Sequence, residues 1–392
     1  MPKKISILGA TGSVGQSTLK FIGTHPEQFE LDTVVANQNV AALIDICRQF
    51  NPSHVVVANE ELQGDLEAAV GGLGISVSSG RAAVLEAAQR DVDILVSAVV
   101  GSAGLEPTLA ALRAGNQVAL ANKESLVCAG RLVCSAAQKA GKPLLPLDSE
   151  HNALFQVFET HNVKAIDKVI ITASGGAFRQ NSREEMKLAT PAQALRHPNW
   201  SMGQRITIDS ATLMNKAFEV IECRHLFPVS PEQIGVWVHP QSLVHGLVQY
   251  NDGSLLAHMG PADMQVPIAH CLSYPERLRV NVQPLDLTEI SALTFEKPDL
   301  ERFPSMRLVG EVMALGDAAG TVFNAADEVA VEAFLKGQIG FLDIVETVEH
   351  CLEIFNQQGE LGGELDLEGV LALDARTRIC AHERIVKLQQ VA

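Results

Sequence analysis

The sequence predicts an α/β protein with a doubly wound parallel-sheet domain first, an α+β part second and a helical part last. Three observations carry this reading. Short, wholly apolar runs alternate with helical stretches over residues 1–150. Past Glu150 longer strands gather around a tight-turn signal, Asn251-Asp252-Gly253. Beyond a proline-punctuated connector the apolar period is helical to the last residues.

The first part opens with the buried strand "KISILG", the turn "GATGSVG" and a helix through Gly23. "LDTVVA", "SHVVVA", "ISV", "VDILVSAV", "NQVALA" and "KPLLPL" follow as strands. Strands apolar on both faces and separated by helices belong to a parallel sheet covered on both sides. In the middle part "VIITASGGAF", "QRITID", "IGVWVHPQSLVHGLVQY" and "SLLAHM" read as strands of a mixed or antiparallel sheet. The expected domains are residues 1–150, 151–293, a connector over 294–312 ("TFEKPDLERFPSM" within it) and a helical domain over 313–392.

Hydrophobic residues are 47% of the 392, enough for sizeable cores. A formal net charge of −16 argues against general nucleic-acid binding, which needs a basic face. The seven cysteines are scattered without a CxxC pair, which fits reduced thiols rather than a disulfide framework or a zinc site. No signal peptide precedes the first strand and no apolar run reaches a membrane span, so a cytoplasmic location and no membrane partner are expected.

Gly9, Gly12 and Gly15 sit in a G-x-x-G-x-x-G turn between the first strand and the first helix. Such a turn lets the backbone approach a pyrophosphate, whose charge then meets a helix N-terminus, the mark of a Rossmann-like dinucleotide site. The second strand ends in Asn37, Gln38 and Asn39, with no acid to grip a ribose diol and repel a 2′-phosphate, which tilts the choice to NADP.

Asn122, Lys123 and Glu124 follow a later strand, and Asp148, Ser149 and Glu150 follow the next. Ligands of such sheets gather at the carboxyl ends of strands. Asp148 or Ser149 is placed to cap the next helix, with Glu150 in its first turn; the alternative is that the acids hold a cation. "TASGGAF" supplies Ser174 and two glycines, a loop shaped for an anion. "TIDSATLMNKAFEVIECRHLF" reads as a helix with Ser210 near its N-terminus and with Asn215, Lys216 and Glu219 on one side. Glu219 is the candidate third carboxylate; three such oxygen donors suit Mg²⁺ or Mn²⁺. Ser174, Ser210, Asn215 and Lys216 supply donors for a phosphate. In "ALRHPNWSMGQR", Trp200 and Met202 stand in a polar loop, as in a lid that closes over substrate, with His197 as its polar group. His239, His245, His258 and His270 lack metal-ligand spacing and read as structural or interface residues.

With "GATGSVG", "NKESLV", "DSEHNALFQ", "ASGGAF", "HPNWSMG", "DSATLMNKAFE" and "HPQSLVHG" in this order, the chain closely resembles the 1-deoxy-D-xylulose 5-phosphate reductoisomerase family over essentially its full length. The resemblance implies metal ligation by Asp148, Glu150 and Glu219. It implies substrate binding by Lys123, Ser149, Glu150, Ser174, His197, Trp200, Ser210, Asn215, Lys216 and Glu219. It implies NADPH contacts from Thr11, Gly12, Ser13, Val14, Asn37, Asn39, Asn122, Glu124 and Gly203. A phosphorylated sugar is then rearranged on the metal and reduced by NADPH to 2-C-methyl-D-erythritol 4-phosphate for isoprenoid synthesis, by a cytoplasmic homodimer. Many members carry a basic residue where this chain has Gln38.

Three other readings fare worse. An aspartate-semialdehyde-type dehydrogenase needs a nucleophilic cysteine with a base, and Cys128 sits in an apolar helical run without one. A short-chain dehydrogenase needs Tyr-x-x-x-Lys, but Tyr250 and Tyr274 are followed four residues on by Ser254 and Leu278. A non-catalytic NADP-binding sensor would lack metal-dependent turnover.

Overall fold

A computed structural model describes residues 1–200 and 202–391. It divides into two compact units, one of Met1–Ser125, Leu132–Asn152 and Asp263–Val282, the other of Leu126–Arg131, Ala153–Ala262 and Gln283–Ala392.

The first unit is built on a seven-stranded sheet. The chain runs β1 (Lys3–Leu8), α1 (Ser13–Gly23), β2 (Phe29–Ala36), α2 (Val40–Phe50), β3 (His54–Val57), α3 (Gln63–Val70), β4 (Ser76–Ser79) and α4 (Gly80–Ala88). It continues through β5 (Ile94–Ser97), α5 (Leu105–Arg113), β6 (Gln117–Leu120), α6 (Lys123–Ala140), β7 (Leu145–Pro146) and α7 (Ser149–Val157). Every strand pair is parallel, in the order β4-β3-β2-β1-β5-β6-β7. The order reverses between β1 and β5, the place where such sheets bind ligands. Residues such as Ile5, Ile7, Val56 and Leu95 are fully buried, as the apolar runs require. The predicted last strand is cut to two residues because Pro146 cannot donate to a ladder, which suits only an edge.

The second unit holds a four-stranded sheet of β8 (Ile166–Ala173), β9 (Ile234–Val238), β10 (Val244–Tyr250) and β11 (Leu255–Met259), in the order β11-β10-β8-β9. β8 and β9 are parallel and the other pairs antiparallel, the mixed sheet expected. Short helices α8 (Arg183–Lys187) and α9 (Pro191–Ala194) precede α10 (Gln204–Ala211) and α11 (Met214–Leu226). The helix α12 (Gln265–Ser273) belongs to the first unit, where it packs on α1. The remainder is α13 (Ser305–Leu315), α14 (Asp317–Leu335), α15 (Phe341–Gln357) and α16 (Leu367–Val391), the helical part the period predicted. Phe218 and Phe323 meet edge-on at 5.4 Å in the shared core of α11 and α14.

One expected strand is a helix. "QRITID" alternates like a strand, yet it forms most of α10. The Thr207 hydroxyl donates one turn back to the Gly203 carbonyl at 2.8 Å. Arg205 Nε lies 3.6 Å from the Asp209 carboxylate one turn on, a pairing only helical spacing allows. Ser210 therefore ends α10 instead of opening the next helix. Leu213, at φ 57°, separates α10 from α11.

Arg205 also ties α10 to α14, donating to Glu328 at 3.1 Å and to Asn324 at 2.9 Å. Arg378 of α16 donates to Glu328 at 2.7 Å and to Asp374 at 2.6 Å. Asp327 is fully buried beside Arg205 and Asp209 on α10 and Glu328 on α14; burial pushes its carboxyl up to about 7, against the opposing pull of Arg205. A carboxyl that binds its proton more tightly when folded stabilises at low pH and loses that contribution as pH rises to its folded value. Stability of the wild type relative to Asp327→Asn should therefore fall between about pH 4 and pH 7 and stay level above. Thermal melts across that range check it; a difference independent of pH would mean that folding does not shift the titration of Asp327.

Candidate functional site

The glycine turn behaves as its spacing predicts. Gly9 has φ 85°, a left-handed conformation that favours glycine. A side chain at Gly15 would place Cβ 2.4 Å from the Gly9 carbonyl oxygen, so α1 can pack this closely on the turn only with glycine there. The first turn of α1 carries no side-chain cap. Its N–H groups are free of the usual competing oxygen, which fits a dinucleotide's pyrophosphate.

Beside this turn lies a cavity of about 530 Å³. Gly9, Thr11, Gly12 and Asn37 line it, with Val99 and Val100 on another side. Gln38 and Asn39 are exposed at the end of β2 and are not among the lining residues. Neither are Ser13 and Val14 of the first turn of α1. Asn39 caps α2, accepting the Ala42 N–H at 3.2 Å. Asn122 caps α6 and donates to the carbonyls of Val99 (2.7 Å) and Gly101 (2.9 Å) and to Glu124 (2.7 Å). Glu124 in turn accepts the Gly101 N–H at 2.9 Å. Together they fix the loop after β5 that forms part of the cavity wall.

Local sequence reading did not single out Arg81 and Glu106, which also line this cavity. Arg81 stands two residues past β4, at a strand's carboxyl end, and that position is the signal that would have found it.

At the end of β7 Asp148 caps the next helix, as its position predicts. Its Oδ1 accepts the backbone N–H groups of Glu150 (3.1 Å) and His151 (3.4 Å), a helix cap. Its Oδ2 takes the Lys123 ammonium. The Ser149 hydroxyl donates to Glu150 at 2.5 Å. Lys123, Asp148, Ser149 and Glu150 are thus gathered at adjacent strand ends of the first unit.

The second unit gathers the other predicted residues. The Gly175-Gly176 loop has φ 90° and 67°, and a Cβ at Gly176 would lie 2.3 Å from the Ser210 carbonyl oxygen. Glycine thus lets the Ser174 loop pack against the end of α10. His197 Nδ1 accepts the N–H groups of Asn199 (3.2 Å) and Trp200 (2.9 Å). The proton therefore resides on Nε2, which donates to Ser174 Oγ at 2.9 Å. The Gly176 N–H donates to the same oxygen at 3.3 Å. With two donors upon it, Ser174 keeps its own O–H for a ligand.

On α11 the buried Glu219 carboxylate takes the Lys216 ammonium and the Asn215 amide, the latter at 2.6 Å. Asn215 Oδ1 is buried without a hydrogen-bond partner, an acceptor left for a ligand. Trp200 is half-buried, 6.4 Å from the His245 ring, and Asn199 donates to Pro240 (2.7 Å) and Ser242 (2.8 Å). Gly203 caps α10 by backbone alone.

The acids Asp148, Glu150 and Glu219 offer only hard oxygen donors, and in two of them an ammonium already neutralises the charge. That chemistry fits Mg²⁺ or Mn²⁺. Of the four histidines read as structural, His270 is pushed down to about 4 by burial, so it is neutral at physiological pH. His239 stacks on Phe295 at 4.5 Å, and its Nδ1 donates to the Thr294 carbonyl at 2.8 Å.

Comparison with known proteins settles the family. Residues 5–130 match the family described as 1-deoxy-D-xylulose 5-phosphate reductoisomerase, and residues 144–227 and 259–380 match its two C-terminal domain families. The chain belongs to the 1-deoxy-D-xylulose 5-phosphate reductoisomerase family. It is 48% identical over 376 residues to the reductoisomerase of Rhodopseudomonas palustris strain BisB18, covering 96% of this chain and 92% of that one. It is 49% identical over 383 residues to that of Rhodospirillum centenum, covering 98% and 94%. The Zymomonas mobilis reductoisomerase, solved in complex with NADPH, superposes with a TM-score of 0.91 at 44% identity, over 98% of this chain and 99% of that one. A reductoisomerase solved with NADPH, fosmidomycin and magnesium superposes at 0.95 with 42% identity, over 99% of each chain.

Proposed function

We propose that this chain converts 1-deoxy-D-xylulose 5-phosphate to 2-C-methyl-D-erythritol 4-phosphate, using NADPH and a divalent cation, in non-mevalonate isoprenoid synthesis. The near full-length match to reductoisomerases solved with NADPH and magnesium carries this reading. The glycine cradle and the carboxylates are the parts of this chain that fit those two groups.

In this reading the turn from Gly9 to Gly15, with Thr11, Gly12, Ser13 and Val14, receives the pyrophosphate on the start of α1. Asn37, Gln38 and Asn39 border the adenosine ribose. Asn122 and Glu124 hold the loop after β5, and Gly203 is a further contact to the cofactor. Asp148, Glu150 and Glu219 hold the cation, which supplies charge for the oxyanions of the rearrangement and polarises the aldehyde for reduction. Lys123 and Lys216 offset the acids' charge and give ammonium donors to substrate oxygens. Ser149 and Glu150 face the sugar. Ser174, Ser210, Asn215, Lys216 and His197 hold the phosphate, with His197 also keeping Ser174 in its rotamer. Trp200 covers the site and excludes water.

The product tests the reaction. Its carbon spectrum should show a methyl on a fully substituted carbon, the sign of a moved skeleton. A straight-chain pentitol phosphate would mean reduction without rearrangement and would overturn the assignment.

For Trp200 the test is emission. In a Trp237→Phe background the remaining tryptophan should change intensity when a phosphonate substrate analogue binds, and Trp200→Ala should raise the substrate KM several-fold. An unchanged spectrum at saturation would remove Trp200 from the lid.

The assembly proposed is a cytoplasmic homodimer. The edge strand β11 exposes Leu255 and Leu256, at 45% and 43%, beside open backbone donors and acceptors, and a second copy would cover both. Sedimentation should give the mass of two 42.0 kDa chains; a single-chain mass at micromolar concentration would contradict it. Among the described residues no helix is long and apolar enough to cross a membrane.

A further inference from the structure

We infer that Arg81 is the cation that recognises the 2′-phosphate of the cofactor, a task the end of β2 leaves without a charged residue; this rests on the NADPH reading above. The end of β2 reads Ala36-Asn37-Gln38-Asn39, with neither acid nor base. Sheet register shows what stands beside it. Ala36 pairs with Val57 of β3, and Val57 pairs with Ser79 of β4. The ladder continues past the strands, with the Ala58 N–H on the Ala36 carbonyl (2.9 Å) and the Asn59 N–H on the Asn37 carbonyl (3.0 Å). Ala36, Val57 and Ser79 thus form one row across the sheet, about 10 Å from end to end. Arg81 lies two residues beyond that row, in the first turn of α4.

The same cavity joins them. Asn37, Ala58 and Arg81 line it together with Gly9, Thr11 and Gly12 of the glycine turn, and Arg81 is the only cation among its described lining residues. Glu106 is the one acid there, and it pairs with Arg81. The geometry of that pair matters. Glu106 engages Arg81 through Nε, at 3.0 Å, and Nη2. A guanidinium has five N–H bonds in a planar fork, so the Nη1 edge stays available for phosphate while Glu106 holds the fork in place. Arg81 is 71% exposed in its side chain, so little desolvation opposes the approach of a dianion. The Glu60 carboxylate lies against Gly80, one residue before Arg81, and is not among the residues that line the cavity.

Two nucleotides that differ only in the 2′-phosphate, 2′,5′-ADP and 5′-AMP, isolate this contact by calorimetry. Arg81→Met should weaken 2′,5′-ADP about tenfold, the size of one charge-assisted contact, and 5′-AMP less than twofold. The wild-type preference should shrink as salt rises, and that salt dependence should be lost in the variant. Gln38→Lys added to Arg81→Met should restore the preference, and the NADPH-over-NADH ratio of kcat/KM should follow the same order. Equal weakening of both nucleotides would assign Arg81 to the adenine face or to packing and overturn the inference, as would no change in either. If the wild type binds neither nucleotide, the dinucleotide reading itself fails, a result distinct from unaltered binding by Arg81→Met.

Discussion

Glu219→Gln should lower kcat roughly a thousandfold, a loss of about 4 kcal/mol of transition-state stabilisation. Glu219 is 1% exposed and already accepts from Lys216 and Asn215, so the substitution changes charge far more than shape. It acts in two ways. One hard oxygen ligand of the proposed cation site becomes a neutral amide, and the buried Lys216 ammonium loses its counter-charge. The second effect lowers stability, by about 3–5 kcal/mol if the lysine stays charged. A readout separate from turnover is therefore needed. Mg²⁺ should raise the melting temperature of the wild type by mass action and leave the variant unmoved. Equal stabilisation of both proteins by Mg²⁺ would take Glu219 out of the cation site.

Gly15→Ala should abolish cofactor binding and destabilise the first unit by about 2–4 kcal/mol. The added Cβ would meet the Gly9 carbonyl oxygen at 2.4 Å and the Ala10 Cα and oxygen at 2.6 Å, all backbone atoms that no rotamer change can move. The start of α1 must then swing off the turn, taking the N–H groups of the pyrophosphate site with it. Gly12→Ala makes the contrast. Its Cβ would find the Gly9 oxygen at 3.4 Å, an ordinary contact, yet Gly12 lines the cavity. That variant should fold normally and bind NADPH more weakly. Melting curves with NADPH titrations on both proteins decide it; equal stability of the two variants would mean that the turn relaxes around Gly15.

The parallel sheet and its glycine turn were legible because each strand is apolar over its whole length and the glycines stand where backbone must meet backbone. The candidate side chains were legible where they follow strands, as Lys123 and Asp148 do. "QRITID" misled because its alternation satisfies a strand locally, whereas Arg205 finds its partners on α10 and α14 only as a helix. Ser210 consequently moved from the start of one helix to the end of another. Arg81 was missed for a different reason. The strand before it, Ser76–Ser79, is short and polar, and its neighbourhood with Asn37 depends on two strand pairings that no local pattern encodes. Nothing in the local pattern of α12 says that it packs on α1, or that Lys3 of β1 donates to its Leu272 carbonyl at 3.0 Å.

The central claim is that one chain couples a metal-dependent rearrangement to NADPH reduction, and NADPH consumption in the presence of 1-deoxy-D-xylulose 5-phosphate tests it most directly. Consumption should require both the sugar phosphate and a divalent cation, stop on addition of a chelator and resume when Mg²⁺ or Mn²⁺ is restored. Absorbance that falls at the same rate with the cation chelated, or that does not fall with substrate and cation both present, would contradict it.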